Sequence, residues 1–554
     1  MNSETKGAPG VELEILDTTL RDGAQGEGIN FSLQDKLAVL RALDELGIGW
    51  IEAGSPGSNP KDIELFQAIR EVKLEHARLC AFGSTRKPFV RAPDDPRLQS
   101  LLEAGTEAVT IFGKSWDLHV REVLRVDREE NLAMISETIE YLVSRGKTVF
   151  FDAEHFFDGW KADRSYALAT LRAALEAGAS RIVCCDTNGG SFPAEISSAV
   201  AGAVETLGGA CVTGIHAHND MGLALANTLA ALEAGCRHVQ GTMAGFGERC
   251  GNTALAALIP SLELKLNYSC LPGGKLERIS EITRRIAEIA NVPVPAAMPY
   301  VGSSAFSHKG GMHSDGVLKV SRSFEHIDPS SVGNNRHLLL SEVGGRSAIA
   351  ERVRKLDPSI TRDHPAVSAL AEKLKALEAE GWAFEGADAG FELLVRRELP
   401  GAGDVKLNRY RPLFKILAYR VMSEHPTGVS LACSHAWVKV WVDGQDEIAA
   451  AEGDGPVNAL DGALRRALIR FYPELEQVRL TDYKVRVIDG GAATAAKVRV
   501  LIESTDGPRS WTTVGVSGDI IDASRSALVD SIEYKLIGDI ERKIKTPSTE
   551  DCHG

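Results

Sequence analysis

Residues 212–220 read VTGIHAHND, a short β-branched run that leads directly into two histidines, an asparagine and an aspartate. Such a run is typical of a buried strand, and seven similar runs occur between residues 11 and 265. A longer segment with helical period follows each of them. The eight predicted strands are Leu13–Leu16, Trp50–Ala53, Arg78–Phe82, Ala108–Phe112, Thr148–Phe151, Arg181–Cys184, Val212–Ile215 and His238–Gly241.

The number of these units predicts the fold class. Eight βα units over about 250 residues match a (β/α)8 TIM barrel, whose active site lies where the strands end. A six-stranded doubly wound sheet is the alternative, but it would leave two units unused. Ser32 and Asp35 have the spacing of a capping box, which predicts that a helix begins after Ser32.

Beyond the barrel, predicted to span residues 11–275, the pattern changes twice. Residues 276–395 are helical and polar and predict a linker or lid that ends in an Ala/Glu/Lys-rich helix over residues 366–380. Residues 403–545 alternate like strands, and their segment 457–464 can be laid over 521–528, 64 positions later. This repeat predicts a C-terminal α+β domain of two similar β-rich units, each closed by a helix.

Composition excludes several classes of protein. With 554 residues, 44% apolar and 25% charged, the chain is typical of a globular protein with several domains. The net charge of −14, without a basic run, argues against nucleic acid as a partner. The first ten residues are polar, and no apolar run reaches the roughly 18 residues that span a bilayer, so we expect a cytoplasmic protein without a membrane partner. The nine scattered cysteines fit reduced thiols.

The two histidines of the opening segment are candidate metal ligands. His216 and His218 are two positions apart on a strand, so both imidazoles face the same side, which at a barrel strand end is the central cavity. Asp22, after the first strand, can complete the set, and Asn252 can add an amide oxygen at the start of a helix. A mixed nitrogen and oxygen site without cysteine suits Mg²⁺, Mn²⁺ or Zn²⁺, and the choice among them stays open.

Arg21 stands next to Asp22. A guanidinium keeps its charge when buried in a barrel mouth and can stabilise a developing enolate or carboxylate oxygen. A surface salt bridge of small energetic value is the plain alternative.

These motifs together resemble a known family. LRDG at residues 20–23, DTNGG at 186–190, HAHND at 216–220 and GERCGN at 247–252 are similar to those of the 2-isopropylmalate, homocitrate and citramalate synthases. The resemblance covers almost the whole chain. It is strongest to the citramalate synthase branch, through residues 17–27, 56–62 and 325–329.

The resemblance implies roles for the site residues. It gives Asp22, His216, His218 and Asn252 as ligands of the divalent metal, and places Arg21 beside the reacting oxygens. Glu154 and Thr187 become substrate contacts, and Thr187 donates to the carboxylate of the 2-oxo acid. The resemblance also implies a homodimer in which His313, from the linker segment 307–316, acts as the catalytic histidine over the partner subunit's barrel.

The same resemblance implies the reaction. We expect an acyltransferase that condenses acetyl-CoA with pyruvate and water to citramalate and CoA, in isoleucine biosynthesis. Either His313 or Glu154 removes a methyl proton of the thioester. Isoleucine would be the effector at the C-terminal domain of two βββα units.

Several alternatives remain open at this stage. The same site could prefer 3-methyl-2-oxobutanoate, giving 2-isopropylmalate, or 2-oxoglutarate, giving homocitrate, because one methylene is worth only about 1–3 kcal/mol in a pocket. A lyase similar to HMG-CoA lyase and an inactive effector-binding protein are remoter readings. Two positions depart from the family pattern: Phe324 stands where a tyrosine is common, and Ser55 stands where we expect a bulkier residue.

Overall fold

A computed structural model describes residues 11–57, 60–308, 311–338, 345–358, 360–361, 363–384, 386–398, 412–424, 433–488, 496–507 and 509–545. The chain forms two compact units. Of the described residues, the first unit contains those up to 306 together with 326–336, and the second contains those from 307 to 325 and those after 336. The predicted start of the C-terminal domain at residue 403 lies outside the described residues.

The first unit is built around a closed barrel of eight parallel strands, which confirms the predicted fold. A short strand β1 (Val11–Glu12) precedes the barrel and pairs in parallel with β10 (Tyr268–Ser269). The barrel strands are β2 (Glu14–Asp17), β3 (Trp50–Gly54), β4 (Arg78–Ser84), β5 (Ala108–Lys114), β6 (Thr148–Glu154), β7 (Arg181–Asp186), β8 (Val212–Ala217) and β9 (His238–Gly241). The barrel closes between its first and last strands, where Glu14 stands opposite His238.

Helices follow the barrel strands along the chain. They are α1 (Leu33–Leu46), α2 (Pro60–Ile69), α3 (Pro96–Glu103), α4 (Arg128–Ser144), α5 (Phe156–Ala162), α6 (Arg164–Glu176), α7 (Pro193–Leu207), α8 (Ala224–Glu233), α9 (Leu255–Lys265) and α10 (Ile279–Ile289). The predicted capping box is confirmed, because the Asp35 N–H donates to Ser32 Oγ and the Ser32 N–H donates to Asp35 Oδ2. Sequence and local structure therefore agree on where α1 begins.

The amino ends of the strands hold a charged cluster. Glu14 accepts hydrogen bonds from Arg181 Nη2 at 2.6 Å and Nε at 3.0 Å, and His238 Nδ1 lies 3.2 Å from the same carboxyl group. Beside this cluster, Trp50 meets Phe150 edge to face, with ring centroids 5.0 Å apart. Each of these residues except Phe150 opens a barrel strand, so the cluster closes the bottom of the barrel.

The second unit contains a helical part and two β-rich repeats. Its elements are β11 (Ser307–His308), α11 (Gly311–Lys319), β12 (His337–Leu338), α12 (Gly345–Leu356), α13 (Pro365–Ala379), α14 (Asp388–Glu398), β13 (Lys415–Glu424), β14 (Cys433–Val442), β15 (Gln445–Gly453), α15 (Pro456–Ile469), β16 (Arg479–Val487), β17 (Val498–Thr505), β18 (Ser510–Ser517) and α16 (Ile520–Lys545). Helix α13 confirms the helix predicted over residues 366–380.

The two repeats confirm the predicted internal duplication. Strands β13, β14 and β15 form one antiparallel sheet followed by α15, and β16, β17 and β18 form a second followed by α16. The first sheet has an irregularity between Ile416 and Ala418, and the second has one between Leu480 and Asp482, 64 positions later. The repeat therefore extends to a bulge that the sequence pattern does not show. Among the helices in the described ranges, none combines the length and the apolarity that crossing a bilayer needs.

Candidate active site

A cavity of about 570 Å³ opens at the carboxyl ends of the barrel strands. Of the residues predicted for the site, Arg21, Asp22, Glu154, Thr187, His216 and His218 line it. Its apolar wall includes Phe82 and Phe112, whose rings stack with centroids 5.3 Å apart. The cavity therefore combines one apolar side with a cluster of charged and metal-binding groups, as small-molecule sites do.

Asp22, His216 and His218 come together in the way their sequence positions predict. One possible ligand atom from each lies within 4.8 Å of the others, and all three side chains are buried. The Nε2 atoms of the two histidines are 3.3 Å apart, and His216 Nε2 lies 3.7 Å from Asp22 Oδ2. Two ligand atoms at about 2.1 Å from one cation are about 3.0–3.4 Å apart at right-angled or tetrahedral geometry. The three donors thus converge on one point where a divalent cation fits.

Asn252 lies next to this cluster. Its predicted position at the start of a helix is wrong. Helix α9 begins at Leu255, and Asn252 instead forms a β-bridge with His218, which brings its amide to the cluster. Its Nδ2 donates to Asp22 Oδ1 at 2.8 Å. Its Oδ1 is buried and has no hydrogen-bond partner in the described part of the chain. A buried carbonyl oxygen without a partner is an energetic cost that a bound cation would remove.

The protonation of these groups suits metal binding. Burial lowers the pKa of both histidines, that of His218 to about 4, so both imidazoles are neutral at pH 7. Burial alone would raise the pKa of Asp22, but the Arg21 guanidinium together with His216, His218 and the Asn252 amide outweighs burial and holds the pKa below its usual value. Neutral imidazoles and ionised carboxylates are the forms that bind metal.

Arg21 is fixed by contacts on three sides. Its Nη1 donates to Asp22 Oδ2 at 2.8 Å, its Nε donates to Glu52 Oε2 at 2.5 Å, and its guanidinium lies 3.8 Å from the centroid of the Phe82 ring. Burial would lower the pKa of this guanidinium, but the neighbouring Glu52 and Asp22 together raise the pKa by a larger amount. The group therefore stays charged. A charged and rigid donor can stabilise negative charge in a reacting molecule without reorganising.

Glu154 and Thr187 lie on the other side of the cavity. Glu154 ends β6 and forms an ion pair with Lys114, which ends β5. Thr187 follows β7, and its Oγ1 accepts a hydrogen bond from the His155 N–H at 2.8 Å. Because the oxygen accepts, its hydroxyl hydrogen is available as a donor.

His313 belongs to the second unit. It lies exposed on α11, and its ring stacks on that of Phe324 with centroids 4.3 Å apart. The proposed catalytic role of His313 therefore stays a prediction.

Sequence reasoning missed several residues of the site. Glu52 is fully buried, receives hydrogen bonds from Arg21 and from the Thr18 hydroxyl at 2.6 Å, and its Oε1 has no partner among the described residues. Asp152 is buried, and burial beside Glu52 raises its pKa to about 8. The sequence did contain a sign of both residues, because each is a carboxylate inside an otherwise apolar strand, and a charged residue in such a position often has a function.

Arg249, in the loop before Asn252, is a further residue that received no role. Its guanidinium donates to both oxygens of Asp220, at 2.7 and 3.0 Å, and to the Thr187 carbonyl oxygen at 2.7 Å. It thereby ties together the loops after β7, β8 and β9, which carry Thr187, His218 and Asn252.

Comparison with known proteins supports this description. Residues 12–286 match the HMGL-like family, residues 300–381 the homocitrate synthase post-HMGL domain-like family, and residues 385–536 the LeuA allosteric (dimerisation) domain. The (R)-citramalate synthase of Aquifex aeolicus is 49% identical over 96% of this chain and 99% of its own length. That of Synechocystis sp. is 50% identical over 95% and 96%. A protein of Methanopyrus kandleri described as a probable 2-isopropylmalate synthase is 32% identical over 94% and 97%.

The barrel with its convergent donors and the duplicated C-terminal domain define an HMGL-like protein with a LeuA-type regulatory domain. Within that class, the chain belongs to the family of the (R)-citramalate synthases, as the sequence motifs predicted.

Proposed function

We propose that this chain is an acyltransferase that condenses acetyl-CoA with pyruvate and water to give (R)-citramalate and CoA. The observation that carries the proposal is the identity of 44–50% to five (R)-citramalate synthases over almost the whole chain. The identity to the probable 2-isopropylmalate synthase is lower, at 32%. The reaction belongs to isoleucine biosynthesis.

In this proposal the convergent donors bind a divalent cation. Asp22, His216 and His218 hold it, and Asn252 joins them when its amide turns its Oδ1 toward the cluster. The cation would polarise the keto carbonyl of the 2-oxo acid as a Lewis acid. Mg²⁺, Mn²⁺ and Zn²⁺ all fit a set of nitrogen and oxygen donors.

The remaining groups orient the substrates and move the proton. Thr187 donates its hydroxyl hydrogen to the carboxylate of pyruvate, and the stacked Phe82 and Phe112 provide an apolar wall for the methyl group. Glu154 or His313 takes a methyl proton from acetyl-CoA, and the electrons of the broken C–H bond form the enolate. As the new C–C bond forms at the keto carbon, the π electrons of the carbonyl move to its oxygen, where Arg21 stabilises the negative charge, and that oxygen takes up a proton to become the hydroxyl group. Water then hydrolyses the thioester and releases CoA.

The C-terminal domain gives the regulatory half of the proposal. Residues 385–536 match an allosteric dimerisation domain, so we propose a homodimer that binds an amino-acid effector, isoleucine, and works in the cytoplasm. Inhibition by isoleucine but not by leucine or lysine, with a dimer mass in solution, is the expected result. Inhibition by leucine alone would point to leucine biosynthesis instead.

Release of free CoA thiol tests the reaction. The purified protein is incubated with Mg²⁺ or Mn²⁺, acetyl-CoA and, in separate reactions, pyruvate, 2-oxobutanoate, 3-methyl-2-oxobutanoate or 2-oxoglutarate. We expect the highest kcat/KM with pyruvate. A preference for 3-methyl-2-oxobutanoate would make the protein a 2-isopropylmalate synthase, and no thiol release from metal-loaded protein would contradict the synthase proposal.

The H313A variant is measured beside the wild type, and unchanged turnover would remove His313 from the mechanism.

A further inference from the structure

The two histidines of the candidate metal site differ in the surroundings of their second ring nitrogen. His216 Nδ1 lies 2.9 Å from Gln240 Oε1, and Gln240 Nε2 donates to Asp152 Oδ1 at 2.9 Å. His218 Nδ1 is also buried, but it has no hydrogen-bond partner within the described ranges. One imidazole is therefore held by a defined chain of hydrogen bonds, and the other is not.

The pairing of the barrel strands explains how these three hydrogen-bonded side chains come together. His216 and Gln240 are direct partners in the parallel pairing of β8 with β9, and Asp152 lies on β6. Gln240 is 1% exposed, and His216 and Asp152 are each 4% exposed, so water does not compete for these hydrogen bonds. A buried amide between two fixed partners has one favourable orientation.

The orientation of the amide determines the tautomer of His216. In this structure the Gln240 amide turns its Nε2 hydrogens toward Asp152 Oδ1 and its Oε1 toward His216 Nδ1. Facing an acceptor, His216 Nδ1 must carry the ring hydrogen. His216 Nε2 then presents its lone pair to Asp22 and His218. With the amide reversed, the hydrogen would lie on Nε2 and block the cation.

We propose that Gln240 is a positioning residue that fixes His216 as the Nδ1–H tautomer, with Asp152 fixing the Gln240 amide in turn. The inference rests on the proposed function, because it concerns the metal site of that reaction. Hydrogen-bond partners of a metal-binding histidine orient the ring and set its tautomer, and their loss typically weakens metal binding by about 10- to 100-fold. Gln240 is not among the residues that line the cavity, so its effect passes through His216.

Binding of Mn²⁺ without substrates is the direct test, with free Mn²⁺ measured by electron paramagnetic resonance. The Q240M variant keeps the size of the side chain and loses the acceptor, and we expect its Kd for Mn²⁺ to rise by about 10- to 100-fold. Q240E keeps an acceptor toward His216 and should bind Mn²⁺ within about threefold of the wild type. T110V is the matched control, because Thr110 is a buried polar residue inside the barrel that contacts Cys80 instead of the site.

A merely structural role would give a different pattern. The Tm of each metal-free variant shows whether folding is intact, and Q240L replaces Q240M if the latter does not fold. The ¹⁵N shifts of the His216 ring should show one Nδ1–H tautomer in the metal-free wild type and a mixture of tautomers in Q240M. A single unchanged tautomer in folded Q240M, or wild-type Mn²⁺ affinity, would overturn the inference.

The H216A variant separates this inference from the proposed function. If H216A binds Mn²⁺ as the wild type does, the ligand set itself is wrong and the metal site of the proposed reaction fails with it. If H216A loses the ion and Q240M keeps it, only the role of Gln240 is wrong. We expect both variants to weaken binding, H216A by more than Q240M.

Discussion

The two ends of the barrel differ in the ratio of buried carboxyl groups to basic side chains. At the amino ends of the strands, one carboxylate, Glu14, meets Arg181 and His238. At the carboxyl ends, the three carboxyl groups of Asp22, Glu52 and Asp152 surround one guanidinium, that of Arg21. At the bottom the carboxylate thus meets basic side chains, whereas at the top the carboxyl groups outnumber the guanidinium.

Unpartnered atoms strengthen this contrast. At the top, two carboxyl or amide oxygens, Glu52 Oε1 and Asn252 Oδ1, are buried without partners among the described residues, as is the ring nitrogen His218 Nδ1. At the bottom, the unpartnered atoms are ring nitrogens of Trp50 and His238, and all carboxylate oxygens of Glu14 have donors. Excess acceptors and negative charge are what a bound cation and a substrate satisfy, whereas a balanced cluster contributes to the free energy of folding. Changes at the top should therefore alter activity, and changes at the bottom should alter stability.

Replacement of Asp22 should give the largest effect. D22A removes the only negatively charged donor of the cluster of Asp22, His216 and His218, and loss of a cation that acts as a Lewis acid costs several kcal/mol of transition-state stabilisation, or about 10³-fold in kcat/KM. Steady-state kinetics and Mn²⁺ binding measure it, with D94A, at an exposed aspartate, as the control. Retention of more than a tenth of the wild-type kcat/KM by D22A would show that Asp22 is not needed to hold the cation.

A smaller loss is expected at Arg21. R21K keeps the positive charge but cannot donate to Asp22 and Glu52 while also presenting a planar group beside Phe82. Loss of one preorganised donor costs about 10²- to 10³-fold in kcat. The midpoint of thermal unfolding should change little. If R21K lowered Tm but not kcat, the top of the barrel would contribute to stability and not to activity, contrary to our assignment.

Arg181 offers the corresponding test at the bottom. R181M removes the guanidinium that donates twice to Glu14, and breaking a buried ion pair costs about 3–5 kcal/mol, less here because both side chains keep partial exposure, 17% and 27%. We expect a loss of about 2 kcal/mol in the free energy of unfolding. Urea denaturation measures it, and kcat/KM should stay within about twofold of the wild type. A large loss of activity in folded R181M would contradict the division of labour between the two ends.

Much of the fold and of the site at the top of the barrel could be predicted from the sequence, but the charged cluster at the bottom could not. The eight strands follow from local period, and the convergence of His216 and His218 follows from a spacing of two positions on a strand that ends at the cavity. Asp22 and Arg21 were found because polar residues directly follow a predicted strand. In the same way, the spacing of 64 positions between residues 457–464 and 521–528 revealed the duplicated domain.

The contacts that the sequence did not reveal depend on the closure of the barrel and on the pairing register of its strands. Glu14 and Arg181 are 167 positions apart and meet only because the strands close into a barrel. Gln240 reaches His216 through the pairing of β8 with β9, and a slip of one residue would turn it to the other face. Arg249 joins loops whose relative positions no local pattern encodes. Such contacts follow from tertiary geometry, which a single sequence does not determine by pattern alone.

The pH dependence of stability should show an effect no larger than that of R181M, and it follows from the lowered pKa of Glu14. Burial would raise the pKa of this carboxyl, but hydrogen bonds with His238 and Arg181 outweigh it and lower the pKa from 4.5 to about 2. A carboxyl whose pKa is lower in the folded state stabilises the fold above the unfolded pKa and loses that contribution as the pH falls toward the folded pKa. The difference in unfolding free energy between wild type and E14Q should therefore shrink between pH 4.5 and 2 by about 2 kcal/mol, after allowance for partial exposure. Urea denaturation at several pH values measures it, with E12Q, at an exposed glutamate, as the control. A difference that stays constant down to pH 2.5 would mean that Glu14 is not held ionised by Arg181, and the bottom of the barrel would then lack the charge balance that distinguishes it from the top.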